Sequence, residues 1–399
     1  MSVVMETAAG MALIRDDGDV DAETYSVSRC GTGAAVDRVW DGLLHTGLAS
    51  PYQSRVFIST HVEMLAAARG VSPHILLVRN GKGETVMLVP LGVSRIGPLA
   101  VAEILGGKEA NSLMPICAPD FAKSVSAKTL REILIECGRL ADAHLLSLRN
   151  VPEMWAGTPS PLTRLKHQLS PSFAYHANLK DDPTATIAAL RSNSAQKRLR
   201  RYEKRLRQEG EVQLKRAATE EEAQRLFDTY LAQKQQRMRE QRIGNVFEQP
   251  AVQAFYRKLI SRQFGVADGR LDIYWLQVGD DVAATWFGVH HKGRWSGMIT
   301  SFDTQKYSTL HAAEILIRFM VEDLCRRGFG TLDLGIGEAR YKNDWCDGAD
   351  RLIDIFVPCS PIGLAAAPVL AMTYRAKRFV KQNPRLKSLA MRVTATRAG

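Results

Sequence analysis

The period of apolar positions changes repeatedly along this chain, and each change marks an element. "YSVSRC" (25–30) alternates and predicts a strand; "AAVDRVWDGLLHTG" (34–47) and "STHVEMLAAARG" (59–70) carry helical spacing, each ended by glycine. "HILLVR", "ETVMLVPLGVSRI" and "LAVAEILGG" read as three apolar strands, with Asn80-Gly81 as the hairpin turn between the first two. "AKTLREILIECGRLADA" puts Leu130, Ile133, Leu134 and Cys137 on one helix face, and the strand "HLLSLRNV" follows it.

The same order then returns. "VQLKRAA" is a strand, and Thr219 stands three residues before Glu222, a capping-box signature for the long helix "EEEAQRLFDTYLAQKQQRMREQ". A helix over "QPAVQAFYRKLISRQFG" leads to strands "LDIYWLQVG", "DVAATWFGVHH" and "RWSGMITSF", with turns at Gly279-Asp280 and Lys292-Gly293. A helix over "HAAEILIRFMVEDLCRRG" spaces Ala313, Leu316, Ile317, Met320 and Leu324 for one buried face, and the strand "TLDLGIG" closes the unit. Each half thus reads strand, two helices, three strands, helix, strand, which is the signature of a duplicated fold. The expected division is a flexible tail (1–26), a first lobe (27–178), a second lobe (179–360) and a basic helical appendix (361–399) broken at Pro384. A basic helix over 184–210 links the lobes.

Composition narrows the class. A length of 399 residues, 45% hydrophobic and 24% charged, fits two globular domains, each with its own core. No apolar run approaches the roughly 20 residues of a spanning helix. Glu6 and the acidic "RDDGDVDAE" argue against a signal peptide. Six scattered cysteines without a C-x-x-C pair disfavour a disulfide framework or a zinc cage, so no metal is expected and a reducing cytoplasm fits best. The net charge of +11 concentrates in "RSNSAQKRLRRYEKRLRQEG" (191–210) and in the last forty residues, which hold no Asp or Glu. Such patches meet phosphates, anionic lipid or an acidic polymer, or are simply solvated helix faces.

The densest chemistry lies in "TLDLGIGEARYKNDW" (331–345). Here a strand runs into Gly335 and Gly337 and then into Glu338, Arg340, Tyr341 and Lys342. Gly335-Ile336-Gly337 is no dinucleotide fingerprint, because Arg340 takes the place of its third glycine. Taken in order, "SNSAQKRLRRYEKRL", "LAQKQQRM", "DVAATWFGVHHKGRWSGMITSFD", "LDLGIGEARYK" and, in the first half, "GGKEANSLMPI" resemble the GNAT-type acetyltransferases linked to bacterial cellulose and exopolysaccharide biosynthesis (CelD-like). They are more distantly similar to Fem-type transferases that add amino acids to peptidoglycan precursors. The resemblance covers roughly residues 30 to 360. It implies an α/β (α+β) chain with a tandem pair of GNAT-like acyl-CoA N-acyltransferase folds, each a mixed, mostly antiparallel sheet flanked by helices. It also implies acetyl-CoA or another acyl-CoA as cosubstrate and a small-molecule or saccharide-linked amine, or a hydroxyl, as acceptor.

In such enzymes the amine attacks the thioester directly, so the protein orients reactants, moves protons and steadies an oxyanion. The resemblance places Tyr341 as general acid; covering the sheet end is its plain alternative. Glu338 reads as general base or as the partner of Arg340 or Lys342. Asp333, a charge inside a strand pattern, buttresses the loop or faces substrate. Lys342 is a phosphate contact or a solvated lysine. Ser301, Asp303, Ser308 and Thr309, with Lys306, are the cofactor-binding candidates before the helix that usually receives the CoA pyrophosphate. The chain departs from the pattern there: "QKYSTLHAAE" replaces a glycine-rich turn, and Ala313 stands for a glycine. Substrate-binding candidates are Trp286, for which core packing beside Trp275 and Trp295 is the alternative, and Arg198 and Arg201 of the basic helix. His290-His291 reads as a surface pair rather than a metal site. With no counterpart of "GEARYK" after "LSLRNV", the first half is expected to be catalytically silent.

Two rival readings stand beside an acyltransferase. A Fem-like enzyme would use aminoacyl-tRNA, with Arg198, Arg201 and Arg205 as RNA contacts. An inactive GNAT scaffold would sit in a polysaccharide-synthesis complex at the inner membrane, its basic C-terminus touching anionic lipid.

Overall fold

The computed structural model describes residues 12–15, 24–31, 33–264, 270–383 and 386. Among them the chain divides into two units, one running up to Ser172 and resuming at Arg351–Asn383, the other formed by Phe173–Asp350. The division differs from the expected lobe 179–360 because strand Leu352–Pro358 pairs along Leu145–Pro152 in the first sheet. Its Ile353, Ile355 and Val357 are buried in the first core.

The first sheet runs in the order Ala12–Arg15, Thr24–Cys30, Ser72–Asn80, Thr85–Ile96, Leu99–Ile104, Leu145–Pro152, Leu352–Pro358 and Gln168–Leu169; Ile116–Cys117 pairs off this path with Thr85–Ile96. Part of the expected flexible tail is therefore a strand, held because Ile14 pairs opposite Tyr25 and joins the core. The tail's other positions up to residue 23 lie outside the described residues. The second sheet runs Val212–Arg216, Leu271–Val278, Asp281–His291, Arg294–Phe302, Thr331–Ile336, Ala174–Asn178 and Gly348–Asp350. Each sheet is antiparallel except for one parallel step, Leu99–Ile104 with Leu145–Pro152 and Arg294–Phe302 with Thr331–Ile336. Helices flank both sheets.

Local chemistry explains the helix ends. The Thr219 hydroxyl accepts from the Glu222 N–H at 3.2 Å, and the Glu222 carboxylate accepts from the Ala218 N–H at 2.9 Å, opening helix Glu220–Gln241. The basic helix expected over 184–210 is two helices, Pro183–Leu190 and Asn193–Leu206. Arg191 between them is extended, and the Ser192 hydroxyl caps the second by accepting from the Ala195 N–H. Helix Ala312–Arg326 buries Ile315, Val321 and Cys325 beyond its expected face, because both of these helices pack on its outer side.

The C-terminal helix Pro361–Gln382 covers Leu352–Pro358, Leu145–Pro152 and Leu99–Ile104. It begins almost in contact with the sheet, since a Cβ on Gly363 would stand 1.7 Å from the His144 carbonyl oxygen. Replacing a helical glycine by alanine ordinarily stabilises by about 1 kcal/mol. Here the sign should reverse: Gly363→Ala is expected to cost about 1–3 kcal/mol in urea unfolding. A gain would mean that the helix start yields without strain.

The first sheet's parallel step holds only at Val101–Leu145 and Ala102–Leu146, after which its two strands part. Side chains fill that opening. Arg149 Nε donates to the Glu103 carboxylate at 2.8 Å across it, and the same guanidinium lies 4.8 Å over the ring of Tyr374 from the C-terminal helix.

Candidate active site

The second sheet opens at the corresponding step, with a different filling. Arg294–Phe302 pairs with Thr331–Ile336 only at Arg294–Thr331, Trp295–Leu332 and Ser296–Asp333. Beyond that point the first strand keeps its pairing with Asp281–His291 on one edge, while Thr331–Ile336 stays paired on its far edge with Ala174–Asn178, as it is along its whole length. A bulge lies at the fork: Phe287 opposes Ile299 and Gly288 opposes Gly297, leaving Met298 unmatched. Bulges bend a strand and increase its twist, which is how an edge comes to diverge. From Met298 onward this strand offers backbone groups on an edge that no strand occupies among the described residues.

Trp286 closes the base of the fork. A Cβ on Gly297 would lie 2.6 Å from its indole Nε1 and 3.4 Å from the Asp333 carbonyl oxygen, so only glycine leaves the indole room there. Tyr341 stands edge-on to the same indole, ring centroids 5.9 Å apart. Burial pushes its phenol up to about 12, Cys346 adds to the rise, and the charge of Arg237 opposes it. Arg237 comes from helix Glu220–Gln241 and stacks 4.9 Å over Phe302, at the end of the diverging strand. Trp286 and Tyr341 thus pack together at the base of the opening, and Arg237 and Phe302 pack together at the far end of the diverging strand.

The turn that leads into the short helix Arg340–Trp345, which carries Tyr341, depends on its glycines, because Gly335 and Gly337 hold φ angles of 79° and 99°. Asp333 fixes the strand before them and is fully buried. It accepts from Arg294 Nε at 3.1 Å, from the Ser296 hydroxyl at 3.1 Å and from the Gly335 N–H at 2.8 Å. Arg294 reaches on to Asp350 at 3.4 Å, and His176 Nδ1 lies 3.1 Å from the same carboxylate. Burial pushes the Asp350 carboxyl up, but His176 and Arg294 outweigh it and hold the group below its usual range. The network ties four strands together, and Asp333 belongs to it as a buttress.

Lys342 is corrected on both expected counts. It is 5% exposed, and its ammonium donates to the carbonyls of Gly335 at 3.0 Å and Ile336 at 2.9 Å, pinning the loop. Glu338 is half-buried with its Oε2 inside, and its charge adds to the rise that burial gives the Tyr175 phenol.

The cofactor-binding candidates are dispersed. Ser301 is buried and donates to Gln233 Oε1 at 2.7 Å while sharing a hydrogen bond with Thr285, so its hydroxyl serves the helix and sheet. Asp303 accepts from the N–H groups of Gln305 and Lys306 and shapes the turn. Lys306 pairs with Asp281 at 2.6 Å. Ser308 and Thr309 are exposed in the short helix Ser308–Leu310, which ends at His311 with a φ of 58°. His311 stacks on Tyr202 at 3.8 Å, and Glu314 follows in the first turn, 3.6 Å from Arg191. Arg198 and Arg201 are exposed on helix Asn193–Leu206, whose Leu199 and Leu206 face inward. Tyr202 sets that helix beside the turn.

Trp275 and Trp295 are core residues, the latter packed on Gly288, and Trp286, expected as a substrate contact, is 4% exposed and lies in the same core cluster as Trp295. His290 stands edge-on to Phe329, and His291 is buried against Arg270. Among the described residues no group of three or more His, Cys, Asp or Glu is placed to hold a metal ion. Sequence reasoning passed over Arg237, Gln233 and Arg294. The first two stand four residues apart on the long helix, one turn on the same side as buried Tyr230, which was a readable signal.

Residues 193–343 match a family model described as an acetyltransferase (GNAT) domain. Among solved structures, FemX is similar at 9% identity over 85% of this chain and 99% of its own, with a TM-score of 0.58. A conserved protein of unknown function from Bacteroides thetaiotaomicron is similar at 12% identity over 82% and 98%, with a TM-score of 0.50. No curated protein sequence matches significantly. The fold is GNAT-like, with two mixed, mostly antiparallel sheets in tandem, each flanked by helices.

Proposed function

We propose that the second unit is an N-acyltransferase that takes an acyl group from acyl-CoA and passes it to an amine. The observation that carries this reading is the fork after Ser296–Asp333, bulged at Met298 and bordered by Trp286 and Tyr341. An acyl-pantetheine arm is itself an extended chain of amides, so it can pair with the open strand edge as a further strand would. In the transfer, the amine nitrogen bonds to the thioester carbon as the carbon–sulfur bond breaks. One proton leaves nitrogen and one arrives on sulfur. Tyr341 keeps its proton at neutral pH and donates it to the leaving sulfur, while Glu338 accepts the amine's proton, directly or through water. Backbone N–H groups along the open edge steady the oxyanion. The diphosphate end is less well provided, because His311 and Glu314 stand where a glycine-rich turn would be.

The first unit supplies no second centre in this reading, since Glu103, Arg149 and Tyr374 fill its opening. A saccharide-linked amine, in a pathway that builds exopolysaccharide, is the acceptor class that the sequence resemblance favours. Isothermal titration of the full chain with acetyl-CoA tests the donor. Saturable binding is expected, and a folded protein that gives no heat at about millimolar ligand would sink the proposal.

A second reading, aminoacyl transfer from tRNA, draws on the exposed Arg198, Arg201 and Arg205 face and on the overall likeness to FemX. Tight, steeply salt-dependent tRNA binding would favour it over acyl-CoA.

A further inference from the structure

Helix Pro361–Gln382 meets the first unit with one side only. Gly363 and Tyr374 turn inward, and Arg378 and Lys381 bond to Ser170 and Ser172. The opposite side is apolar. Ile362, Val369, Met372 and Phe379 are spaced by seven, three and seven residues, which aligns them in one stripe of a 3.6-residue helix. They are 48%, 64%, 67% and 67% exposed, and Val380 extends the stripe. Single exposed apolar side chains are ordinary; a contiguous stripe marks a surface that something covers. Six of the ten large hydrophobic side chains exposed among the described residues belong to this helix, counting Leu364, which lies off the stripe.

The charges around the stripe identify what covers it. At 100° per residue Arg375 and Lys377 fall on opposite flanks, each roughly 90–110° from its centre; Arg375 Nε donates to Gln168 Oε1 at 2.8 Å and Lys377 Nζ lies 5.8 Å from the Tyr374 ring, and both exposed side chains are long enough to turn past the apolar surface. From Phe356 to the end the sequence holds eight Lys or Arg and no Asp or Glu. A second copy of this chain would set basic rim against basic rim, because a two-fold interface brings identical patches together. An anionic bilayer meets both the apolar stripe and its single-sign border. No helix among the described residues is long and apolar enough to cross a membrane.

We propose that the outer face of helix Pro361–Gln382 docks in the plane of a membrane surface rich in anionic lipid, with the Ile362–Phe379 stripe in the acyl boundary and Arg375 and Lys377 at the phosphates. Flotation of the full chain tests this with vesicles of phosphatidylcholine alone and of phosphatidylcholine mixed with phosphatidylglycerol. Binding is expected to the mixed vesicles only and to weaken with salt. Met372→Asp with Phe379→Asp should reduce it about tenfold or more, without lowering the melting temperature, since both side chains already face water. Lys377→Gln, which leaves the stripe intact, should reduce it about fivefold. The proposal is overturned if folded protein ignores the mixed vesicles or if the double variant floats as well as the parent. It is equally overturned if light scattering without lipid shows a dimer that the double variant dissolves.

Discussion

Tyr341→Phe is expected to lower turnover by about a hundredfold or more while leaving acetyl-CoA affinity within about twofold. The phenol ring packs edge-on against Trp286, and phenylalanine keeps that contact. Only the hydroxyl is lost, so a change confined to kcat isolates proton donation to the leaving sulfur. The direction of the pKa fits the role, because a phenol pushed up to about 12 by burial remains protonated throughout the neutral range. Competitive titration against acetyl-CoA, beside steady-state rates on one amine acceptor, separates the two effects. Equal turnover in the two proteins would remove Tyr341 from the mechanism and leave it as a wall of the opening. A matched loss of affinity and rate would assign it to binding.

Asp333→Ala is expected to destabilise the second unit by about 3–5 kcal/mol, the largest stability effect anticipated for a single residue of the site. The reason is the group left behind. Arg294 is mostly buried and keeps its charge, and without Asp333 it loses its closer carboxylate and keeps the longer contact to Asp350. The Ser296 hydroxyl and the Gly335 N–H lose their acceptor as well. Urea unfolding followed by tryptophan fluorescence reads the loss, with Trp286 and Trp295 beside the affected strands. Replacing both charges, Asp333→Leu with Arg294→Met, should recover much of the stability, because a buried pair exchanged for apolar side chains of similar volume is often close to neutral. A single variant that loses less than about 1 kcal/mol would mean the network is wetter than its burial indicates.

Much of the fold was legible because its elements are locally written. Alternating strands, the Thr219 and Glu222 cap and the glycines that end helices each depend on residues within a turn of one another. The strands that sequence reading passed over have another character. Ala174–Asn178 and Gly348–Asp350 are short, and their partners lie far along the chain, so nothing nearby declares them. Leu352–Pro358 does alternate, yet it follows the segment that completes the repeated order, and only its pairing with Leu145–Pro152 assigns it to the first unit.

The candidate site divides along the same line. Sequence alone marked the loop at 331–345, with the need for glycine at 335 and 337 and the concentration of Glu338, Tyr341 and Lys342 after them. It could not distribute their roles. Lys342 and Asp333 have the composition of reactive groups, but the fold surrounds one with carbonyls and the other with Arg294, Ser296 and a backbone N–H. The charge of Arg237 acts on Tyr341 from a helix about a hundred residues earlier in the chain. Local spacing determines which elements form and where a backbone can turn, because those choices are settled by neighbours in the chain. Whether a polar side chain reacts or supports depends on burial and on partners distant in sequence, and that the tertiary structure alone decided.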